Sequence, residues 1–216
     1  MKRKEGWISL PVDDEVVAYA KKIREDRDKL YGNIYEEADT DMRHVGEIGE
    51  FCFDHFVNSY GTGLNRWLVD GKVTNEADFI FAGKRIGIKT VKRNVDMRLS
   101  YDAQITAKHS SEPVDYYFFC CYETHKSNLI MLGGIEKARF FDEATYYPEG
   151  SKVHANYTIR KNHEIYNIGV AKLMRPEDFV GTILRGYSDE RRKRRSAAML
   201  AQTVMDEEKI SELAKA

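Results

Sequence analysis

Hydrophobic residues recur with helical spacing in the first part of the chain. Between Asp13 and about Tyr31 the apolar positions follow the period of a helix, with charged residues between them, which predicts a first helix. A second helix is expected to begin near Asp39 to Asp41, whose side chains can cap free amides, and to end at Gly61. Acidic side chains share one flank of this second helix: Glu47, Glu50 and Asp54.

After Gly63 the pattern changes to short runs of β-branched and aromatic residues, which favour strands. A tight turn at Gly83 and Lys84 would join two of these runs into a hairpin. The run from Asp115 to Tyr122 is apolar at nearly every position, so it predicts a strand buried on both faces at the centre of the sheet. The expected strands span residues 66–69, 77–81, 85–91, 115–122, 129–135, 153–159 and 165–170.

Three shorter segments complete the predicted fold. Residues 106–111 are polar and predict a short helix or loop, and residues 140–144 predict a short helix or turn. Pro176 suits the first turn of a helix over 177–184 that Gly186 would end. We therefore expect an α/β (or α+β) fold in which helices flank a central mixed sheet. The expected divisions are a main domain over 1–187 and a charged helical tail over 188–216.

Composition narrows the class of protein. The 216 residues are 42% hydrophobic and 32% charged, as in an ordinary globular domain. No apolar run is long enough to cross a bilayer and the first residues lack a hydrophobic signal core, so we expect a cytoplasmic, intracellular protein with no membrane partner. The odd number of cysteines, three, implies no disulfide framework, and the net charge of −1 does not by itself indicate DNA binding.

The strongest candidate chemistry lies on the predicted hairpin. Asp78 falls on one strand and Lys89 on its partner. Cleavage of a phosphodiester with a divalent cation requires carboxylate oxygens to hold the metal, and a cation near the attacking water or the scissile phosphate assists it. The pair therefore suggests metal-dependent hydrolysis of a phosphodiester.

Three short segments around this pair resemble the PD-(D/E)XK nuclease superfamily: GEIGEF at 46–51, ADFI at 77–80 and RIGIKT at 85–90. The resemblance covers roughly residues 41–135 and implies a restriction-endonuclease-like fold. It also implies a DNA endonuclease of the restriction or phage type that uses Mg²⁺ or Mn²⁺ and acts on DNA. The residues that match the family's site are Asp78, Glu50 or Glu47, and the backbone carbonyl of Ile88 as metal ligands, with Lys89 assisting the hydrolytic water.

One position departs from the family's pattern. The residue two before the lysine should be Glu or Asp, and here it is Gly87. In one hypothesis the carboxylate has migrated and Glu50, Glu47 or Glu76 supplies the missing oxygens, with Glu50 the preferred candidate. In the other, nothing replaces it, and the domain is catalytically inactive and serves as a DNA-binding or protein-interaction module.

Basic residues extend the nucleic-acid hypothesis beyond the site. The stretch 84–98 is rich in Lys and Arg and is expected to follow a phosphate backbone, while Gln104, close to Asp102, would orient a phosphate or a water. The run from Arg191 to Arg195 is interpreted as a DNA-gripping arm, and the apolar stripe behind it as a homodimer contact. A third hypothesis is a structural protein assembled through this tail. The predicted nucleic-acid-binding residues are Lys84, Arg85, Lys92, Arg93 and Gln104.

Overall fold

A computed structural model describes residues 2–32, 42–69, 77–154 and 157–213, and the chain forms two compact units, Met1–Val180 and Gly181–Ala216. The helices are α1 (Asp14–Tyr31), α2 (Val45–Asn58), α3 (Lys137–Glu143) and α4 (Pro176–Leu213), with 3-10 turns at Ala107–Ser111 and Val170–Lys172. The strands are β1 (Lys2–Lys4), β2 (Trp7–Pro11), β3 (Asn65–Trp67), β4 (Phe79–Phe81), β5 (Lys84–Arg93), β6 (Asp102–Thr106), β7 (Tyr116–Glu123), β8 (Asn128–Glu136), β9 (Thr145–Tyr147), β10 (Lys152–His154), β11 (Tyr157–Thr158) and β12 (Ile165–Gly169).

The larger sheet of the described residues has seven strands in the order β1-β2-β8-β7-β5-β4-β3. It is mixed, because β5 and β7 run parallel while the other neighbours run antiparallel. The strand β7 stands in the middle of this order and is buried from Tyr117 to Glu123, which confirms the central strand predicted from its unbroken apolar run. The protein is thus a mixed α/β fold with a curled mixed sheet flanked by helices.

Each face of the sheet carries its own aromatic core. On one face Phe53 of α2 contacts Phe79 and Phe118, with ring centroids 5.0 and 4.8 Å apart, and Phe179 in the first turn of α4 lies 5.2 Å from Phe118. On the other face Phe140 of α3 packs on β7 among buried residues of β6 and β12. Those two strands belong to a three-stranded sheet in the order β6-β12-β9.

Several element boundaries differ from the predictions. The strands β1, β2, β6 and β9 were not predicted, and the expected strand over 153–159 is two short strands, β10 and β11, which pair with each other. The helix expected to end at Gly186 continues through it to Leu213, because the helix-forming residues around a single glycine outweigh its cost of about 1 kcal/mol. Asp13, where the first helix was predicted to begin, caps α1 by accepting a hydrogen bond from the Val16 amide at 2.9 Å. The capping residues predicted for the second helix, Asp39 to Asp41, lie outside the described residues.

The β4–β5 hairpin turns at Ala82 and Gly83, one residue earlier than predicted. Phe81 pairs with Lys84, so only these two residues form the loop. Their φ angles are 47° and 79°, and two successive residues with positive φ give the turn whose twist matches that of the strands it joins. This short connection fixes the register of β4 against β5, and with it the position of Asp78 relative to Lys89.

We expect Gly49→Ala in α2 to destabilise the protein by about 1–3 kcal/mol. A Cβ at position 49 would collide with the Thr90 hydroxyl of β5 and lie 3.1 Å from the Thr90 Cβ, so the helix and the strand would have to separate. Gly46→Ala on the same helix is the matched control. A Cβ there would meet only the Arg24 Nη2 atom at 3.9 Å, so its better helix propensity should leave stability unchanged or raised. Equal urea midpoints for the two variants would contradict this packing.

Candidate functional site

Asp78 directly precedes β4 and forms two hydrogen bonds with β5, one through its main chain and one through its side chain. Its amide donates to the Ile86 carbonyl at 3.0 Å, and one carboxylate oxygen accepts the Ile88 amide at 2.6 Å. The carboxylate is therefore attached to β5 midway between Gly87 and Lys89. Because side chains alternate along a strand, residues 87 and 89 share one face of β5. The structure brings together the two residues that the sequence singled out.

Lys89 meets a carboxylate that was not predicted. Its Nζ atom lies 2.9 and 3.0 Å from the two carboxylate oxygens of Glu112 and 3.4 Å from Nδ1 of His109. The same His109 nitrogen forms a hydrogen bond with Glu112. The side chains of Lys89 and Glu112 are only 12% and 8% exposed, so water screens this ion pair weakly.

The Glu112 carboxylate occupies the space beside Gly87. A Cβ at position 87 would lie 3.5 Å from Oε2 of Glu112, with Tyr117 and Val114 atoms at 3.3 Å. A side chain at position 87 would therefore enter the region that Glu112 already fills. A carboxylate beside Gly87 is thus supplied by the residue that follows the 3-10 turn Ala107–Ser111.

Hydrogen bonds to main-chain carbonyls hold His109 and Glu112 against the sheet. The Tyr117 hydroxyl donates to the His109 carbonyl at 2.8 Å, and Lys137 Nζ donates to the Glu112 carbonyl at 2.5 Å. Burial and the charge of Lys89 lower the pKa of His109, so the ring is neutral at neutral pH. Burial alone would raise the pKa of Glu112, but the His109 hydrogen bond and the Lys89 charge outweigh it and lower that pKa. Glu112 is thus an anion at neutral pH.

Glu50 and Glu47 on α2 are held by arginines of α1. Arg27 forms a two-point contact with Glu50 at 2.8 and 2.7 Å and also reaches Glu47 at 2.8 Å. Arg24 lies 2.6 Å from Glu47, and the Trp67 indole donates to Glu50 at 2.9 Å. Glu47, which is fully buried, therefore faces α1, whereas Glu50 is near enough to Asp78 for its charge to act on it.

The Asp78 carboxyl has a strongly altered affinity for protons. Burial and the charge of Glu50 raise the pKa of Asp78 to about 7, although the Lys89 charge and the Ile88 amide act in the opposite direction. Glu112 adds a further raising contribution. A cation bound at this buried carboxyl would favour its charged form.

We expect Asp78→Asn to stabilise the protein at pH 8 and to have little effect near pH 4. Between its ordinary value of 3.8 and about 7, the folded state holds a proton that the unfolded chain has lost, so wild-type stability falls as pH rises through this window. Asparagine can still accept the Ile88 amide but carries no charge, so the gain at pH 8 should be on the order of a few kcal/mol. Urea unfolding at both pH values measures it, and a gain of the same size at pH 4 would contradict the assignment.

The basic stretch on β5 does not form one face. By strand alternation Lys84 and Lys92 lie on the α2 side of the sheet, and Arg85 and Arg93 lie on the other side at opposite ends of the strand. Arg85 contacts Asp115, at 2.8 Å through its amide and 3.2 Å through its guanidinium. Arg93 lies 4.7 Å from the ring centroid of Tyr101.

Gln104 has no described contact with the cluster formed by Asp78, Lys89, His109 and Glu112. It pairs with Asn167 in the β6–β12 ladder. Its neighbours Ala103 and Ile105 point into the core, so the Gln104 side chain projects from the opposite face of the small sheet. Its predicted part in orienting a phosphate therefore has no contact with Asp78 or Lys89 to support it.

The cluster partly fits a divalent cation. Among the described residues, no three His, Cys, Asp or Glu side chains stand close enough together to hold a metal ion. The Asp78 carboxylate contacts the Ile88 amide, the Glu112 carboxylate lies beside Gly87, and the charge of Glu112 acts on Asp78. Mg²⁺ is commonly held by one or two carboxylates while it keeps several waters. Ile88 contacts Asp78 through its main-chain amide, which donates a hydrogen bond to the carboxylate, whereas its carbonyl was the predicted metal ligand.

Sequence reasoning missed the residues that complete this cluster. His109 lies in the segment 106–111, which was predicted only as a short helix or loop, and Glu112 directly follows it. Arg27 lies in the first predicted helix, for which no functional residue was predicted. A histidine and a glutamate three residues apart in a short polar segment between two strands were the available signal. No comparable local signal links Arg27 to Glu50, because they are 23 residues apart in the chain.

Comparison of the whole chain with protein-family models gave no match, and searches of curated proteins and of solved structures gave no significant match. None of the described helices is long and apolar enough to span a membrane. The three cysteines are buried and free. The chemistry of the Asp78, Lys89, Glu112 and His109 cluster therefore carries the functional argument.

Proposed function

We propose that the protein is a metal-dependent DNA endonuclease with a restriction-endonuclease-like fold, in which the second acidic residue of a PD-(D/E)XK site has migrated to Glu112. The observation that carries the proposal is the Glu112 carboxylate, 3.5 Å from the position of a Cβ on Gly87 and ion-paired with Lys89. It supplies an anion in the space where the family's pattern places one. Glu50, the candidate preferred from sequence, acts on the site through its charge, which raises the pKa of Asp78.

Each residue of the cluster has a distinct part in this proposal. Asp78 and Glu112 supply the carboxylate oxygens for Mg²⁺ or Mn²⁺. The cation, when bound, would lower the pKa of a water and offset the negative charge on the phosphate oxygens. Lys89 moves from Glu112 toward the phosphate oxygens, where its positive charge offsets the charge that develops on them. His109 orients Glu112 through their hydrogen bond.

The proposal predicts cleavage of DNA that requires Mg²⁺ or Mn²⁺ and is lost in Lys89→Met. Methionine preserves the unbranched apolar stem but removes the charge, so the loss reports on electrostatics at the site. Supercoiled, linear duplex and single-stranded DNA should be tested with each metal and with EDTA. Lys108→Met, an exposed lysine on the same 3-10 turn, is the matched control and should cleave as wild type. Cleavage that survives Lys89→Met unchanged would refute the proposal.

A second function, a catalytically inactive domain that binds DNA or a protein, is favoured by one observation. Lys89 and Glu112 already neutralise each other at 2.9 Å, and such a closed pair requires no metal. In that case the ion pair is structural. The protein should then bind no Mg²⁺ or Mn²⁺ at this site and should cleave none of the three DNA substrates. Binding of DNA without cleavage, at equal affinity with and without Mg²⁺, would favour this second function.

A further inference from the structure

The helix α4 contains a positively charged segment that the proposed site leaves unused. Five consecutive basic residues, Arg191–Arg195, follow two acidic ones, Asp189 and Glu190. Every residue from Arg191 to Ala198 is exposed. Since successive residues of a helix are about 100° apart, five in a row carry positive charge around its whole circumference.

The contacts described for Arg191 and Arg192 are weak ones. Arg192 pairs with Asp189 at 2.9 Å, but these side chains are 79% and 58% exposed, and such pairs contribute little. The Arg191 guanidinium lies 5.8 Å from the centroid of the Tyr187 ring. Like charges three and four residues apart on a helix repel each other. A polyanion that binds here would relieve that repulsion.

The composition of the segment distinguishes between classes of polyanion. From Ser188 to Ala198 no apolar side chain is larger than alanine. A helix that binds a bilayer surface needs a broad apolar face to enter it, and this segment has none. A helix is about 10–12 Å across with its side chains and the major groove of B-form DNA is about 12 Å wide, so a helix charged on all sides can reach phosphates on both walls of the groove.

We propose that residues 188–198 form a DNA-binding arm that lies in the major groove of duplex DNA, with Arg191–Arg195 contacting phosphates. The partner's identity as DNA rests on the proposed function, but the binding does not require cleavage. The contact is mainly to the backbone, so affinity should depend strongly on salt and weakly on base sequence.

The test neutralises three charges of the arm in the full-length protein. The triple variant Lys193→Gln, Arg194→Gln, Arg195→Gln retains good helix-forming residues. Its matched control, Lys152→Gln, Arg160→Gln, Lys161→Gln, removes three exposed cations elsewhere. Both are made in an Asp78→Asn background and measured in EDTA, with a short labelled duplex whose anisotropy is followed across a salt series.

The arm variant should have a slope of log affinity against log salt shallower by about 2.7, and at about 0.1 M salt its affinity should fall on the order of 100-fold or more. The control triple should bind as its parent does. A second variant, Lys193→Arg, Arg194→Lys, Arg195→Lys, retains the charge and should also bind as the parent, whatever the helicity of the neutral variant. The inference would be overturned if the neutral arm variant had the affinity and salt slope of its parent. It would also be overturned if the control triple weakened binding as much as the arm variant does, or if the charge-retaining variant lost binding.

Further outcomes distinguish a failure of the DNA-binding arm from a failure of the proposed nuclease function. Stronger binding of the wild type to vesicles of anionic lipid than to the duplex would overturn the assignment of DNA as the partner. Absence of cleavage together with arm-dependent binding would remove the proposed function and leave the arm. Cleavage that depends on Lys89 together with arm-independent binding would remove the arm and leave the proposed function.

Discussion

Glu112→Gln should lower the rate of metal-dependent DNA cleavage by on the order of 100- to 1,000-fold. Glutamine has nearly the same shape and can still contact His109, but it lacks the negative charge that would hold the cation and that now pairs with Lys89 at 2.9 Å. The fold should survive, because the Glu112 carbonyl still accepts Lys137 Nζ at 2.5 Å. Single-turnover cleavage at saturating Mg²⁺, with circular dichroism to verify the fold, measures the effect.

A second substitution tests whether Glu112 stands in for the acidic residue missing at position 87. Adding Gly87→Asp to Glu112→Gln returns a carboxylate to the same space, since a Cβ at 87 would lie 3.5 Å from Oε2 of Glu112. We expect at least a tenfold recovery of the rate, about 1.4 kcal/mol. The neighbours Tyr117 and Val114, at 3.3 Å from that Cβ, must shift slightly, so recovery will be partial.

The matched control for this rescue is Gly87→Asn with Glu112→Gln. It introduces a side chain of the same size without the charge, so it separates the carboxylate from steric changes at position 87. Equal rates for the Asp and Asn versions would show that position 87 and residue 112 do not share a role. A Glu112→Gln rate equal to that of wild type would show that Glu112 takes no part in catalysis.

Arg27→Met should destabilise the protein by about 3–5 kcal/mol at neutral pH. Arg27 contacts both buried carboxylates of α2, with distances of 2.8 and 2.7 Å to Glu50 and 2.8 Å to Glu47. Methionine has similar volume, so the cost comes from leaving two carboxylates with too little compensating charge in the interior. The effect should be smaller at acidic pH, because a protonated carboxyl needs no compensating positive charge. Urea unfolding at pH 7 and pH 4 measures both effects.

Two controls accompany the Arg27 variant. Glu50→Gln added to Arg27→Met removes the carboxylate that has lost its two-point contact with arginine, while Glu47 keeps its contact with Arg24 at 2.6 Å. This double variant should recover part of the lost stability. Lys29→Met, in the exposed pair of Lys29 with Asp26 on the same helix, should change the urea midpoint little because both side chains are more than half exposed. A loss for Arg27→Met that does not depend on pH, or that Glu50→Gln leaves unchanged, would mean that packing and not charge explains the loss.

The sequence predicted those parts of the structure that local pattern specifies. The unbroken apolar run at 115–122 identified the central strand, because only a strand covered on both faces avoids polar positions. The helical period of the apolar positions predicted α1 close to its observed bounds, Asp14–Tyr31. Asp78 and Lys89 were found together because a two-residue hairpin turn connects their strands and leaves little choice of register.

The rest depended on contacts between distant parts of the chain. Glu112 lies 25 residues after Gly87 in the sequence, and the whole of β6 and a 3-10 turn intervene, so its arrival beside Gly87 depends on the second sheet, which was not predicted. Glu50 was expected to fill that place because its position in the motif order suits it, but Arg27 and Trp67 hold it on the α2 side. The run of basic residues also gave no sign that alternation along β5 places Lys84 and Lys92 on one face of the sheet and Arg85 and Arg93 on the other.

Binding of Mn²⁺ to the protein without DNA tests the central claim most directly, because it requires no knowledge of the substrate. Electron paramagnetic resonance can follow free Mn²⁺ in titrations of wild type, Asp78→Asn and Glu112→Gln. We predict saturable binding by wild type that weakens at least tenfold in each variant, together with competition by Mg²⁺. Equal binding by all three proteins, or no binding by wild type at millimolar Mn²⁺, would contradict a metal site formed by Asp78 and Glu112.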